Sequence, residues 1–299
     1  MRRVSERALA NACFAAMGII WGTTFLAIRV AIETIPTLYL TGMRFTIAGT
    51  ILLGIALARG NPLPLRASQW GHESLTGALL FTFATASVAF AEHYITSGLA
   101  ALLAAMLPLW MAVLERREPF TTTRIAGLVA GFCGVAAVVA PAIAKPSTGT
   151  GLVIGTLAMQ FYTIAWNLGT LRAKYKPSGV APGLAPAMQM LTGGVITLVA
   201  AILIEPWPRI TAKSAIALSY LALFGSVIAF SAYTYALRVI PPGRLTLFAY
   251  IQPAVAAIAG AIVLHERITI PMLLGMLFIL GGVTLARRTR TPSAQAATR

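Results

Sequence analysis

Residues able to do acid–base or metal chemistry are scarce in this sequence. It holds eight acids, all glutamate, together with His72, His93, His265, Cys13 and Cys133, scattered without metal-ligand spacing. A zinc centre or a disulfide framework needs ligands at set intervals, so neither is expected, and no cofactor is expected either. What remains is the chemistry of binding: rings, amides and hydroxyls set inside long apolar runs. Trp21 and Trp166 lie deep in two such runs, away from the membrane interface where tryptophan usually anchors. Rings so placed can line an apolar chamber, with Thr24, Thr85, Gln160, Tyr162 and Asn167 as polar neighbours. Met106 and Trp110 are four residues apart, on one helical face, and Ser226 and Tyr233 are seven apart, on another. Tyr250 and Gln252 are separated by about 200° around a helix, so at most one of them faces a cavity squarely. For each residue the plainer alternative is that it fills a helix interface.

Charge inside a run is rarer still. Arg44 lies eight residues beyond Pro36, deep in an apolar stretch, where a charge is costly and marks a functional hypothesis by default. It can receive a substrate carboxylate or bond helix-end carbonyls, and the structural role is the reading taken. Glu92 and His93 stand at the end of another run, where a carboxylate beside an imidazole at an aqueous mouth can gate or titrate. Pro108 and Pro253 fall inside runs; each removes an N–H and frees the carbonyl four residues earlier, on Ala104 and Ala249, which provides hinges. Glu118 and Glu266 close runs and read as structural residues at helix ends.

The elements that must hold these residues follow from composition. Only 10% of residues are charged, against about 25% in soluble domains. A mean hydropathy of +0.81 leaves too little charge to coat a water-facing globule, so the surface faces lipid. The net charge of +15 first suggests nucleic acid, but the basic residues recur between apolar runs at about helix length, which is a topology signal.

Ten runs can each cross the membrane as a helix: Ala8 to Ile28, Leu38 to Leu57, Leu75 to Ala91, Gly98 to Leu114, Ile125 to Ala140, Leu152 to Leu171, Leu184 to Ile204, Ala215 to Ala236, Leu245 to Leu264 and Met272 to Ala286. The first, at 21 residues, is too long for the core of a cleaved secretory signal and is read as an uncleaved span. With the N-terminus in the cytoplasm, 17 Lys and Arg fall inside and 5 outside, which places both termini in the cytoplasm.

The chain also repeats itself. An offset of 145 carries Trp21 to Trp166, Gly49 to Gly194, Gly98 to Gly243 and Pro108 to Pro253; after one three-residue indel, 148 carries Glu118 to Glu266 and Gly127 to Gly275. Five spans per half is an odd number, so the second half enters the membrane from the other side. The fold class expected is an all-α membrane protein of ten transmembrane helices, two inverted five-helix repeats around a central cavity. Residues 1–145 form the first repeat, 146–290 the second, and 291–299 a disordered cytoplasmic tail.

Several stretches support a family resemblance: Ile19-Ile20-Trp21-Gly22-Thr23-Thr24-Phe25, the Arg44-Phe45 pair, Ala91-Glu92-His93 leading to Ser97-Gly98, and Pro253 followed by Glu266 and Gly275. They resemble the drug/metabolite transporter superfamily, EamA type. The stretch Tyr220 to Ser226 and on to Tyr233 looks most like its YedA-like exporters, and more distantly the YddG-type amino-acid exporters. The resemblance implies an inner-membrane exporter of small metabolites or amino acids, with a cavity formed largely by helices 1, 3, 4, 6, 8 and 9. The partners expected are a small-molecule substrate and the bilayer, without nucleic acid; a monomer is the simplest state and a dimer stays open. The function expected is secondary transport by alternating access, not catalysis. The alternatives are a structural or sensory helical bundle, or an intramembrane enzyme, for which the acids and metal ligands are lacking.

Overall fold

Where lipid replaces water, the backbone must satisfy its own polar groups, and the chain does so with helices. The computed structural model describes residues 6–63, 66–115, 121–143, 146–265, and then 270, 273, 274, 277, 278 and 281. Among these residues the protein is all-α, in nine rods. They are α1 (Glu6–Ala31), α2 (Thr37–Ala58), α3 (Ala67–Ala91), α4 (Ser97–Leu114), α5 (Thr122–Ile143), α6 (Pro146–Tyr175), α7 (Ala185–Ile204), α8 (Ala212–Val239) and α9 (Pro242–Val263). Seven of them, all but α5 and α6, are long and apolar enough along their described residues to cross a membrane. Of the tenth expected span, Met272 to Ala286, residues 273, 274, 277, 278 and 281 are described, all helical, while Glu118, Glu266 and the expected tail over 291–299 lie outside the described residues.

Outward faces are apolar, as lipid requires: Ile19, Leu157, Leu203 and Ile262 are all exposed. Helix ends carry recognisable stops. Pro36 precedes α2, whose first amides at Leu38 and Tyr39 bond the Glu205 carboxylate at the end of α7. Gly60, at φ 78°, ends α2 in the left-handed conformation, with Asn61 N donating to Ala56 O. Thr211 and Ser214 form a reciprocal capping box at the start of α8.

Four rods are irregular in their middles. α3 and α8 contain π-helical stretches at Ala78–Thr85 and Leu221–Ile228. α4 breaks at Ala105 and Met106, and α9 passes through a 3-10 turn at Thr246–Tyr250. Pro108 and Pro253 follow these breaks directly, so each proline sits at the start of a second half-helix, where its missing N–H costs little. α3 also begins eight residues before the expected Leu75, because Ala67 to Ser74 continue the helix with polar residues beyond the apolar run.

α2 and α7 cross through glycine. A Cβ on Gly49 would overlap the backbone of Leu191, and one on Gly194 would overlap the backbone of Thr46. These contacts are reciprocal under the offset of 145, which relates Gly49 to Gly194 and Thr46 to Leu191. Gly42 meets Leu198, so numbers rise along α2 as they fall along α7, and the two rods run antiparallel. The neighbours exchange in the same way: α1 packs on α8 and α9, and α6 packs on α3 and α4.

Backbone contact this close tolerates no added side chain. Gly49→Val and Gly194→Val are each expected to cost about 1–3 kcal/mol or more by overpacking. Gly54→Val, at a position with nothing within 4 Å, is the control. Thermal unfolding in detergent checks this, and equal melting temperatures for Gly49→Val and Gly54→Val would contradict it.

Candidate functional site

Two hollows lie in series along the bundle. The inner one is a chamber with room for water-sized molecules over about 50 Å³, walled by α1, α2, α3, α6, α7, α8 and α9. Aromatic rings dominate the wall. Trp21 and Trp166, related by the repeat, meet edge to face with centroids 5.3 Å apart. Tyr233 lies 5.5 Å from each of them, and Phe248 is 4.9 Å from Trp21. Phe45, Phe81 and Phe230 continue the aromatic surface, at 4.3 Å and 5.0 Å between successive rings.

The outer hollow is a vestibule of about 320 Å³ at the end of the bundle that carries Lys174, Lys176 and Arg238. Phe230 lines both hollows and is the partition between them. Tyr233 and Leu80 flank it on the vestibule side, and the Tyr233 hydroxyl is held by Thr170 Oγ1 at 2.5 Å. Glu73 is buried in the vestibule wall, where Gln189 Nε2 donates to it at 2.6 Å and Ser178 Oγ donates to its other oxygen. At this basic end His72 Nδ1 also pairs with Arg172 Nη2 at 3.0 Å.

Most polar side chains in the membrane interior hold backbone carbonyls. Trp21 Nε1 donates to Gly225 O at 2.8 Å and Thr24 Oγ1 to Trp21 O at 2.7 Å. Within the π-helical stretches Thr85 Oγ1 donates to Leu80 O and Ser226 Oγ to Leu221 O, each five residues back and each at 3.0 Å. Asn167 Nδ2 donates to Leu107 O at 2.9 Å, securing the break in α4. The repeat-related site in the other half has Gly22 close against Gln252 O, so bare backbone stands where the first site has an amide.

Of the residues singled out from the sequence, Trp21, Thr24, Thr85, Tyr162, Trp166 and Gln252 line the chamber together. Tyr250 does not, in keeping with the opposed directions of Tyr250 and Gln252 around the helix. Met106 is fully buried at the α4 break. Trp110 faces away, donating to Gln160 Oε1 at 2.8 Å and packing on Phe132 of α5, so this trio holds α4, α5 and α6 together outside the chamber wall. Asn167 and Ser226 sit behind the wall on their bonds.

Two readings change. Helix 4 lends no residue to the chamber wall, whereas helix 2, expected outside it, contributes Arg44 and Phe45. Arg44 is 5% exposed, its Nε donates to Ser226 Oγ at 2.8 Å, and its guanidinium lies 4.8 Å from the Phe45 ring centre. It thus ties α2 to α8 and also faces the cavity. Glu92, expected at an aqueous mouth, is 0% exposed beneath the turn after α3, with Arg29 Nη1 donating to its backbone carbonyl. His93 is the exposed member of the pair, bonding Thr37 Oγ1 at 3.1 Å. Sequence reasoning missed Phe45, Phe81 and Phe230, because in helices apolar on every side no periodicity marks the face turned to a cavity, and it missed Glu73, which lies in the polar extension of α3 before the apolar run.

Comparison with known proteins agrees with this architecture. The profile of the EamA-like transporter family matches residues 9–140 and 153–288. The inner membrane transporter YedA of Escherichia coli is 34% identical over 257 residues, covering 82% of this chain and 79% of that protein. The transporter YvbV of Bacillus subtilis is 26% identical, covering 93% and 91%. A solved crystal structure, 22% identical and covering 94% of this chain and 98% of its own, superposes with a TM-score of 0.68 and shares the fold.

Partial burial, and Arg29 nearby, hold the His93 imidazole below its usual pKa, against the opposing pull of Glu205. Folding therefore favours the neutral ring. That contribution is present above the unfolded value of about 6.5 and is lost as pH falls through the depressed native value. Wild-type melting temperature should accordingly fall faster than that of His93→Ala as pH drops from about 7 to about 5, and parallel pH profiles for the two proteins would refute the assignment.

Proposed function

We propose that this chain, which belongs to the EamA-like transporter family, is a secondary transporter that exports small metabolites across the inner membrane by alternating access. The substrates proposed are amino acids or related amphipathic compounds. The complete architecture is two inverted five-helix halves, ten helices in all, with both termini in the cytoplasm. The basic end is then the cytoplasmic end, and solute enters from the vestibule.

One observation carries the reading: a chamber walled by residues of both halves stands in line with a wider vestibule, with a single aromatic side chain shared between them. The antiparallel reciprocal crossing of α2 and α7 and the meeting of Trp21 with Trp166 support a two-fold relation between the halves. Inverted repeats of this kind let one arrangement convert to its mirror state across the membrane. The chamber has room for only a few waters, so Phe230 and Tyr233 must swing aside before a solute passes. The half-helix breaks before Pro108 and Pro253 supply the bending points, and π-helical stretches recur at functional sites. Naming of the relatives as transporters favours transport over catalysis, and a closed structural bundle gives no account of hollows in series.

Purified protein in proteoliposomes, screened by counterflow across labelled amino acids with and without a pH gradient, tests this directly. Trp21→Ala and Trp166→Ala are each expected to lower flux roughly tenfold, the scale of a lost aromatic contact of about 1.5 kcal/mol, with the protein still inserted. Wild-type flux in both variants would remove the chamber from the route.

A further inference from the structure

Among the described residues the chamber wall contains one cation and no carboxylate. Arg44 spends one N–H, on Ser226 Oγ. Its terminal amino groups have no hydrogen-bond acceptor among the described residues, and Nη2 lies close against Gly225, 3.0 Å from where a Cβ would stand. The acids on surrounding elements are occupied at the two ends of the bundle. Glu73 bonds Gln189 and Ser178 in the vestibule, Glu205 bonds the first amides of α2, and Glu33 pairs with Lys213. Glu92 lies under the turn that follows α3, held by a backbone bond from Arg29.

The repeat sharpens the contrast. The position related to Arg44 is Gln189, a neutral residue that nevertheless has a buried carboxylate partner. Arg44 carries full charge and faces a hydroxyl and a phenyl ring. Tying α2 to α8 needs only a neutral hydrogen bond, whereas a buried guanidinium without an anion is costly to keep. Five donors in a planar fork match a carboxylate or a phosphate, and a narrow chamber lined mainly by apolar side chains, with room for only a few waters, favours the smaller and less highly charged carboxylate.

Resting on the chamber being the solute site of a transporter, we propose that it selects small solutes bearing a carboxylate, which Arg44 receives, and rejects solutes whose only charge is positive. The rings of Trp21, Phe81 and Trp166 take the apolar body. Gln252 Oε1, a buried acceptor in the same wall with no hydrogen-bond partner among the described residues, suits a donor on the solute, such as the ammonium of a zwitterion.

The test is binding to purified wild-type protein in detergent, followed by tryptophan fluorescence and thermal shift. Two matched series serve as probes: phenylacetate, phenylacetamide and benzylammonium; and isovalerate, isovaleramide and isobutylammonium. Each carboxylate is expected to bind at least about tenfold more tightly than its amide and ammonium partners, and Arg44→Gln should erase that preference. Equal binding within both series, no carboxylate binding in either, or an unchanged preference in folded Arg44→Gln overturns the proposal. Because the wild-type comparison stands alone, misfolding of Arg44→Gln does not spoil it. Counterflow of the same probes separates the two claims: carboxylate binding without flux upholds the Arg44 site and removes transport, and flux without carboxylate preference does the reverse.

Discussion

In hydrocarbon a backbone carbonyl without a donor costs several kcal/mol, and the organisation of this bundle follows from meeting that demand from within. Straight helices meet it automatically, but a route for solute needs helices that bend, and bends release carbonyls. Three of the four irregular rods have a side chain that answers the irregularity, and in α9 the close approach of Gly22 to Gln252 O takes that place. Asn167 bonds Leu107 O beside the break in α4, and Thr85 and Ser226 bond the carbonyls of the two π-helical stretches. Thr82 reaches across to Gly193 O on α7, and Trp21 to Gly225 O on α8. The polar residues that look like a binding site in the sequence are therefore mostly committed to the protein's own backbone, and the groups left facing solute are few.

This explains which parts were legible in advance. Apolar runs, basic clusters and the offset of 145 report composition and spacing, so the order of the nine described rods, the pairing of Trp21 with Trp166 and the twin prolines are legible in the sequence. Faces could not. A soluble helix declares its buried side by periodicity, but a helix apolar all round gives no such mark, so Phe81 and Phe230 were indistinguishable from lipid-facing phenylalanines such as Phe83. The family resemblance puts helix 2 outside the wall, and nothing in the sequence around Arg44 tells that α2 leans across α8. The sequence around Glu92 points to water for a related reason, since a polar pair at the end of an apolar run ordinarily lies there. The turn folds the carboxylate back under the helices and leaves only His93 outside.

The two ends of the bundle are held differently. At the end opposite the vestibule the loops are stitched across the halves: Glu205 bonds the start of α2, Arg209 N donates to Thr34 O, and Lys213 pairs with Glu33 at 2.8 Å. The exposed Lys213–Glu33 pair contributes little, about 0–1 kcal/mol, but Glu205 both neutralises and hydrogen-bonds a helix start and anchors more firmly. At the basic end Lys174 spans to the carbonyls of Leu237 and Arg238, yet the space between α3, α6, α7 and α8 stays open. The structure is thus closed on one side and accessible on the other, with the aromatic partition set between.

The glycine crossing of α2 and α7 has a thermodynamic corollary. Among the described residues the rods before residue 145 bury their closest faces against those after it, α2 on α7 and α1 on α8 and α9, so neither set is packed by itself. Severing the chain between its halves would leave a single particle, and heating the intact protein should melt it in one cooperative step, with no stage at which one half stands folded while the other is lost.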